Sequence, residues 1–494
     1  MKVSFGKTII TPQNGGHGVP MAGYTRLFFA QGKLDDIFAR GMLIEENTKE
    51  SDPKRLLVIS LDLLKVPLAI SEYIKIKIQE QTNFGDNSEQ ILIHATHTHS
   101  APDLTGEFYW PGSSLNVFRG IMFGANRNDR YIVFFTHRII TMVRQLILDL
   151  TPSKIAQATH LIEENIVINR RNPLRKSKIP LWLLVFKRID NDQIFGILGN
   201  YGMHPTSLSN RNDKLSADYP GRFCYHIESE TENKIHAIFI TGAAGDLNPI
   251  TTCGTDFETL ENDPKARKTV YDQLGTYTHT KKLGFFLGNT ALQVARAVNK
   301  DDYFDIIRIR GFTKAISIII EDKQPYVYKW GTWLTNKLVF YLKRLFLFPM
   351  ALKHASGQDP NFPAMYLTYD SKKKKVKDRM KVNTLLQLLH LKLYKSINPS
   401  DVLKINLIGV PGEVFEDLAE KLIHIQPEMT SNNHIFQNSN DWVAYLFELK
   451  DYIGQGGYEP IASASPHCGQ EILKKFKMFF NEIQVEIEKI SFDI

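Results

Sequence analysis

Two histidines separated by one residue, His97 and His99, follow an apolar stretch in the segment 91–102, ILIHATHTHSAP. The stretch predicts a strand that runs into a polar tip, and side chains two apart on a strand project to the same side. Two imidazoles on one side can bind one metal ion, or one can bind the ion while the other carries a proton. On this segment alone, a metal site and an ordinary structural pair of histidines both stay open.

A third histidine and a glutamate stand at other predicted element ends. His204, in GNYGMHPTSL, ends a strand-like segment, and Pro205 after it disfavours helix and keeps the chain extended. Glu413 follows a Pro-Gly turn at the predicted start of an amphipathic helix, where free backbone N–H groups and the helix dipole favour a carboxylate. Each residue therefore has a structural interpretation, a buried histidine or a helix cap, beside metal ligation.

The segment 241–249, TGAAGDLNP, is a glycine-rich turn with Asp246 and Asn248 at its tip. Small residues there let the backbone approach a ligand, although a plain tight turn is also possible. The sequence contains neither the phosphate-binding GxxxxGK[ST] pattern nor a GxSxG nucleophile elbow. Asp62, which ends the strand-like VISLD, is either an ordinary strand-end carboxylate or a group that orients a histidine.

The elements that must position these residues alternate between strand and helix patterns. Short apolar runs bounded by turn residues predict strands, and longer amphipathic runs predict helices. The strands are predicted at 55–63, 89–96, 179–189, 194–204 and 234–245, and the helices at 130–150, 284–300 and 413–425. The pattern predicts a mixed α/β (α+β) fold, with a large twisted β-sheet core covered by helices and the metal site at strand ends.

Composition is that of an ordinary globular chain: of 494 residues, 43 % are hydrophobic and 23 % charged, which excludes disordered, collagenous and coiled-coil proteins. The net charge of +7 is mild, and the dense lysine run at 372–377 is typical of a solvated loop, so no nucleic-acid partner is expected. Three scattered cysteines without a CxxC pair give no thiolate metal site. No signal peptide or transmembrane helix is recognised, and a cytoplasmic or peripheral membrane location is expected.

No repeat or linker divides the chain, so residues 1–494 are predicted to form a single catalytic domain. The stretch 320–385 has the composition of an insertion. Within it, 330–353 interleaves aromatic residues with lysine and arginine and could lie along a lipid interface; a helical hairpin packed on the body is the alternative.

Taken in order, these segments resemble the neutral/alkaline non-lysosomal ceramidase family, in its N-terminal zinc-hydrolase domain. The resemblance runs from FGKTIITP and MAGY through LDDIFARGMLIEE, ATHTHSAP, INRRNP, NYGMHP, TGAAGDLNP and PGEVFEDLAEKL to AYLFELKDYIGQGGYE and SPH. Each piece is weak, whereas the ordered set is specific and covers most of the chain.

The resemblance implies one catalytic zinc ion with four protein ligands, which are His97, His204, Glu413 and Tyr445. His99, Arg170, Tyr458 and Asn248 would contact water or substrate. The spacing from Tyr452 to Tyr458 is one residue longer than the family pattern, which makes the match of Tyr458 less secure.

The implied reaction is hydrolysis of the N-acyl amide bond of ceramide or a related lipid, to a fatty acid and a sphingoid amine. Zinc lowers the pKa of a bound water to about 7, so that hydroxide is available as the nucleophile. Arg170 and Tyr458 would donate to the developing oxyanion, and His99 would carry a proton to the leaving amine.

The sequence differs from the family pattern in two features. Asn248 occupies the position of a family serine and cannot become an acyl carrier, although its amide can still donate a hydrogen bond. The family's C-terminal immunoglobulin-like domain is also not expected in this chain. A zinc amidase or esterase acting on a non-sphingolipid substrate, and a catalytically inactive lipid-binding homologue, therefore stay as alternatives. The oligomeric state is not predicted.

Overall fold

A computed structural model of the chain describes residues 1–24, 26–47, 53–105, 128–250, 275–319, 367–369, 380–425, 431–452, 459, 463 and 465–488. The strands in these ranges are β1 (Lys2–Ile9), β2 (Phe38–Glu45), β3 (Arg55–Leu61), β4 (Ile91–Ala95), β5 (Thr151–Leu161), β6 (Val167–Asn169), β7 (Pro180–Arg188), β8 (Ile194–Tyr201), β9 (His236–Thr241), β10 (Leu247–Pro249), β11 (Ile306–Ile319), β12 (Leu367–Tyr369), β13 (Met380–Lys395), β14 (Asn398–Gly409), β15 (Glu413–Val414), β16 (Ser431–Phe436) and β17 (Tyr445–Leu446). The helices are α1 (Leu68–Gln81), α2 (Asp129–Leu148), α3 (Asp218–Glu230), α4 (Tyr277–Ala297), α5 (Glu416–Ile423), α6 (Leu449–Tyr452) and α7 (Cys468–Glu488).

The larger sheet has eight strands in the order β4-β3-β2-β1-β5-β7-β8-β9. Its outermost pairs, β3 with β4 and β8 with β9, are parallel. Side chains join the two ends of this order: the Ser60 hydroxyl donates to the carbonyl of Phe239 at 2.7 Å, and the backbone N–H of Thr241 donates to Nε2 of His94 at 3.0 Å. The sheet therefore curls until the carboxyl ends of β4 and β9 lie together.

A second sheet, with the order β11-β13-β14-β16 and β12 beside β13, packs on one face of the first. Alternation along β13 explains the contact, because Leu389 and Leu391 join Val58 and Trp182 of the large sheet in one cluster, whereas Leu388 faces the other way. Leu388 packs with α5 and α7. Helices, sheet, sheet and helices thus form four layers.

Helices α1 and α2 cover the other face of β2 to β4, and α3 and α4 cover β7 to β9. Helix α2 is long and apolar enough to cross a bilayer, but half of its most apolar stretch is buried within the body, as in core helices. Phe135 of α2 is fully buried in that contact, and truncating such a side chain to alanine costs about 3–5 kcal/mol.

The mixed α/β fold with a large sheet core is confirmed, and strands and helices occur at the predicted places. One position was wrong: the helix predicted at 413–425 begins at Glu416, and Glu413 lies in the short strand β15. Glu413 therefore does not cap this helix. Of the expected insertion, 320–366 and 370–379 lie outside the described residues, as does all of 330–353, whereas 380–385 belongs to β13.

Candidate metal centre

The three predicted histidines lie just beyond the carboxyl ends of strands β4 and β8, which the curled sheet brings together. His97 comes two residues after β4 and adopts a left-handed backbone conformation with φ of 71°. Its N–H donates to the carbonyl of Leu63 at 2.9 Å, which fixes this unusual turn. His97 and His99 therefore converge, with ring centroids 5.1 Å apart, through the turn after the strand and not through alternation along it.

His204 lies three residues after β8, where its N–H donates to the carbonyl of Leu247 at 2.7 Å. Its ring centroid is 4.7 Å from that of His97 and 4.9 Å from that of His99. One ligand atom of each histidine lies within 4.8 Å of those of the other two, and all three side chains are buried. This three-histidine group could hold a metal ion.

Backbone carbonyls determine which ring nitrogens face the centre. Nδ1 of His97 lies 2.7 Å from the carbonyl oxygen of Leu64, and Nδ1 of His204 lies 3.0 Å from that of Ala244. Because a carbonyl oxygen only accepts, Nδ1 carries the proton in each neutral ring. Nε2 of both rings therefore presents a lone pair to the centre, the arrangement that outer hydrogen bonds impose on metal-binding histidines.

Glu413 brings a carboxylate to the same point. Its Oε2 lies 3.2 Å from Nε2 of His97 and 3.8 Å from Nε2 of His204, and the side chain is 2 % exposed. Its other oxygen, Oε1, accepts the indole N–H of Trp442 at 2.9 Å. Two of the histidines and Glu413 thus meet as the sequence predicts.

The unsatisfied atoms of this cluster fit a cation. Nε2 of His97 and Oε2 of Glu413 are buried and have no hydrogen-bond partner. A single proton could satisfy these two atoms, and the lone pair of His204 lies 3.8 Å from Oε2 of Glu413 and 3.0 Å from Nε2 of His99. Buried polar atoms without partners cost several kcal/mol, whereas a divalent cation satisfies all three at once.

The electrostatics agree with neutral imidazoles around a carboxylate. Burial, together with the neighbouring His97, lowers the pKa of His204 to about 3. Burial also places the pKa of His99 well below its usual value, together with His204 and His97 beside it. Burial opposes ionisation of Glu413, but His97, His204 and Arg170 hold the pKa of this carboxyl below its usual range. Glu413 is therefore ionised at neutral pH, and its negative charge favours a cation at this point.

His99 lies closer to the ligand set than a residue expected to contact only water and substrate. Its Nε2 is 3.0 Å from Nε2 of His204, close enough to share a proton or to face the same cation. Its Nδ1 is buried and has no hydrogen-bond partner. From this position His99 can either bind the ion or carry a proton.

Tyr445 stands opposite Glu413 in the parallel pair of β15 and β17, so the two side chains project to the same side of this ladder. The Tyr445 ring is buried, and the guanidinium carbon of Arg170 lies 5.6 Å from its centroid. This register places Tyr445 beside Glu413, although the two residues are 32 positions apart in the chain.

Arg170 is fixed by a buried network. Its Nη1 donates to Oδ1 of Asn248 at 2.7 Å, and its Nε donates to Oε1 of Glu459 at 2.9 Å. Glu459 is fully buried and also accepts from Arg171 at 3.3 Å. Asn248 itself lies in β10, paired with β6, and its side chain serves as an acceptor for Arg170.

Other sequence predictions have structural explanations. Asp62 accepts the backbone N–H of Phe38 at 2.8 Å, and since the Nδ1 atoms of His97 and His204 face carbonyl groups, Asp62 orients neither ring. Asp246 accepts the N–H of Glu416 at 2.9 Å and so ties the glycine-rich turn to the start of α5. Tyr458 lies outside the described residues.

Several organising residues were missed by the sequence interpretation. Gln437 accepts the N–H groups of Ala244 and Val414 on its Oε1, at 3.0 and 3.2 Å, and its carbonyl lies 2.8 Å from Nδ1 of His94. It therefore joins the segments that carry Glu413, His204 and His97. A signal was present: the polar run 437–441, QNSND, directly follows a strand, as the histidine motif does, and all of it is buried.

Comparison with profiles of known protein families gives no match. Among solved structures, the chain is similar to the neutral ceramidase from Pseudomonas aeruginosa, with a TM-score of 0.66 and 16 % identity over 96 % of this chain and 73 % of that one. It is also similar to a ceramidase complexed with C2, with a TM-score of 0.66 and 15 % identity over 97 % of this chain and 75 % of that one. The expected resemblance is thus confirmed for the architecture: this chain has the fold of the neutral ceramidases.

Proposed function

We propose that the chain is a zinc-dependent hydrolase that cleaves the N-acyl amide bond of ceramide or a related lipid, yielding a fatty acid and a sphingoid amine. The observation that carries the proposal is the meeting of three buried ligand atoms at one point, Nε2 of His97, Nε2 of His204 and Oε2 of Glu413, of which the first and the last have no hydrogen-bond partner. It lies within a fold shared with neutral ceramidases.

His97, His204, Glu413 and Tyr445 are the residues that would hold the ion. When bound, zinc supplies Lewis acidity toward the amide carbonyl and a nucleophilic water at neutral pH. Two imidazoles, a carboxylate and a phenol are the nitrogen and oxygen donors that zinc accepts.

Hydrolysis adds water across the C–N bond: the acyl carbon gains an oxygen, and the leaving nitrogen gains a proton. We assign the proton transfer to His99, because its Nδ1 has no partner and its Nε2 already faces His204 at 3.0 Å. Arg170, fixed by Glu459 and Asn248, places a positive charge beside the site, where it stabilises the negative charge that develops on the carbonyl oxygen. Tyr458 is assigned the role of a second donor.

Asn248 favours one alternative, a zinc amidase or esterase with a non-sphingolipid substrate. Its Oδ1 is already used as an acceptor for Arg170, so this side chain contributes no nucleophile. The metal chemistry is the same for both candidates, and the substrate separates them. If the substrate is a lipid, we propose that the segment 330–353 makes peripheral contact with the membrane.

Metal content and product release test the function together. We expect the purified protein to hold one equivalent of zinc and to release fatty acid from a panel of labelled ceramides, and His97→Ala to lose both. His434→Ala is the matched control. This buried histidine of the second sheet stacks on Trp182 of the large sheet, with ring centroids 3.7 Å apart, and does not contact the centre. Equal hydrolysis by wild type and His97→Ala would remove the mechanism. Release from simple amides or esters but not from ceramides would select the alternative.

A further inference from the structure

The two oxygens of Glu413 have different surroundings. Oε2 faces Nε2 of His97 and Nε2 of His204, whereas Oε1 accepts the indole N–H of Trp442 at 2.9 Å. An indole nitrogen is a donor only, so the nitrogen of Trp442 cannot be a ligand of the ion. The hydrogen bond therefore occupies one oxygen of the carboxylate and leaves the other for the ion.

Trp442 is itself held in place from two directions. Its backbone N–H donates to Oδ1 of Asp441 at 2.7 Å, and the same oxygen accepts the N–H of Leu68 at 3.0 Å. The Nζ of Lys65 lies 4.0 Å from the centroid of the indole ring, and Lys65 is 4 % exposed. A cation over the ring draws electron density from it, which makes the indole N–H a stronger donor toward Glu413.

The residue next to Lys65 supports another proposed ligand. The carbonyl of Leu64 accepts the Nδ1–H of His97 at 2.7 Å, and the carbonyl of Leu63 accepts its backbone N–H at 2.9 Å. The short segment between β3 and α1 thus contacts His97 directly and reaches Glu413 through Trp442. One segment fixes the relative positions of two ligands that lie more than 300 residues apart in the chain.

We infer that Trp442 is a positioning residue that restricts Glu413 to ligation through Oε2 alone, and that Lys65, stacked on its ring, strengthens this restraint. The inference rests on the proposed zinc site and adds to it the pair of residues that sets how the carboxylate binds. Outer hydrogen bonds of this kind typically change metal affinity by about 10–100-fold.

The test compares metal binding by full-length wild type, Trp442→Phe and Lys65→Met. Zinc affinity is measured by competition with a chelator, and coordination by the visible absorption of Co2+ in the same site. We expect Trp442→Phe to lower zinc affinity about 10–100-fold and to weaken the Co2+ absorption, because the freed Oε1 joins the ion and raises its coordination number. We expect Lys65→Met to lower zinc affinity about two- to fivefold, the effect of one cation–π contact.

Trp182→Phe is the matched control. Trp182 is also buried, and its Nε1 lies 3.3 Å from Oε1 of Gln157, away from the centre. Its loss should leave zinc affinity and the Co2+ spectrum unchanged.

If wild type binds zinc and His97→Ala does not, but Trp442→Phe matches wild type in affinity and spectrum, this inference is overturned while the hydrolase proposal stands. If wild type binds no zinc, both are overturned. If Trp442→Phe does not fold, Lys65→Met decides, and unchanged affinity in that variant overturns the inference.

Discussion

His99 is the residue whose position depends most on its immediate neighbours. Its ring centroid lies 4.6 Å from that of Tyr24, and its carbonyl accepts from the buried Arg26 at 2.9 Å. Gly23 completes the contact, because a Cβ atom built there would lie 2.5 Å from Cγ of His99. Its φ of +96° also lies in the region that favours glycine.

Substituting Gly23 by alanine should therefore displace His99. We expect Gly23→Ala to lower kcat/KM at least tenfold and to weaken zinc binding, since a catalytic group shifted by about 1 Å can cost about 100-fold. Gly18→Ala is the control: Gly18 has a φ of +69°, but no atom lies within 4 Å of its added Cβ. Both variants carry the backbone cost of about 1–2 kcal/mol. Equal kcat/KM and zinc affinity in the two variants would show that Gly23 does not position His99.

At this scale the sequence predicted which residues meet, but not the forces that hold them. The identities of His97, His204 and Glu413 are visible as motifs. The groups that orient them are the carbonyls of Leu64 and Ala244 and the side chain of Trp442. Because every residue has a backbone carbonyl, the sequence does not indicate which carbonyls take this role. Glu459 shows the same limit, because only the fold reveals that it is fully buried between two arginines.

At the scale of elements, apolar runs such as 179–189 predicted strands well, since both faces of these strands are buried and the runs are long. The turns after the strands were less predictable. His97 leaves the strand in a left-handed conformation, which non-glycine residues adopt only when contacts fix it. Glu413 was expected in a helix because PGEVFEDLAEKL is amphipathic, yet its pairing with Tyr445 holds it in a strand.

Asp62 belongs to this scale because it joins β3 to β2 through the N–H of Phe38. Burial raises the pKa of Asp62 from 3.8 to about 7, against the opposing effect of Arg40. Between pH 4 and 7 the native state keeps a proton that the unfolded chain has lost, so stability decreases as pH rises through this range. The shift corresponds to a loss of about 4 kcal/mol across the window.

Asp62→Asn keeps an oxygen acceptor for Phe38 and removes the titration. We expect this variant to gain stability relative to wild type as pH rises from 5 to 8, in the direction set by the raised pKa. Urea unfolding of both proteins at the two pH values measures the effect as a double difference, in which the other titrating groups cancel. A difference between the proteins that stays constant with pH would contradict the role of Asp62.

At the scale of the whole molecule, the proposed ligands come from segments near residues 97, 204, 413 and 445, and they meet only because two sheets pack and the larger one curls. The sequence predicted a large sheet covered by helices. It did not predict the second sheet packed on the first, because burial on both faces removes the alternation that would assign a strand to one side. The 320–385 insertion and the single-domain organisation stay predictions.

A site assembled from distant segments couples metal binding to global stability. An ion that binds the native state alone raises the free energy of unfolding by about 2.7 kcal/mol at a free concentration 100 times its Kd. We expect chelator-stripped protein to gain thermal stability when zinc is added, measured by calorimetry at rising zinc concentrations.

His97→Ala should lose this gain, because it removes one of the three acceptors that meet at the centre. His434→Ala should retain it even if its starting stability is lower, since its ring contacts Trp182 and not the centre. A gain that persists in His97→Ala would contradict the assignment of His97 as a ligand, although the carbonyl of Leu64 directs the lone pair of this ring toward the centre.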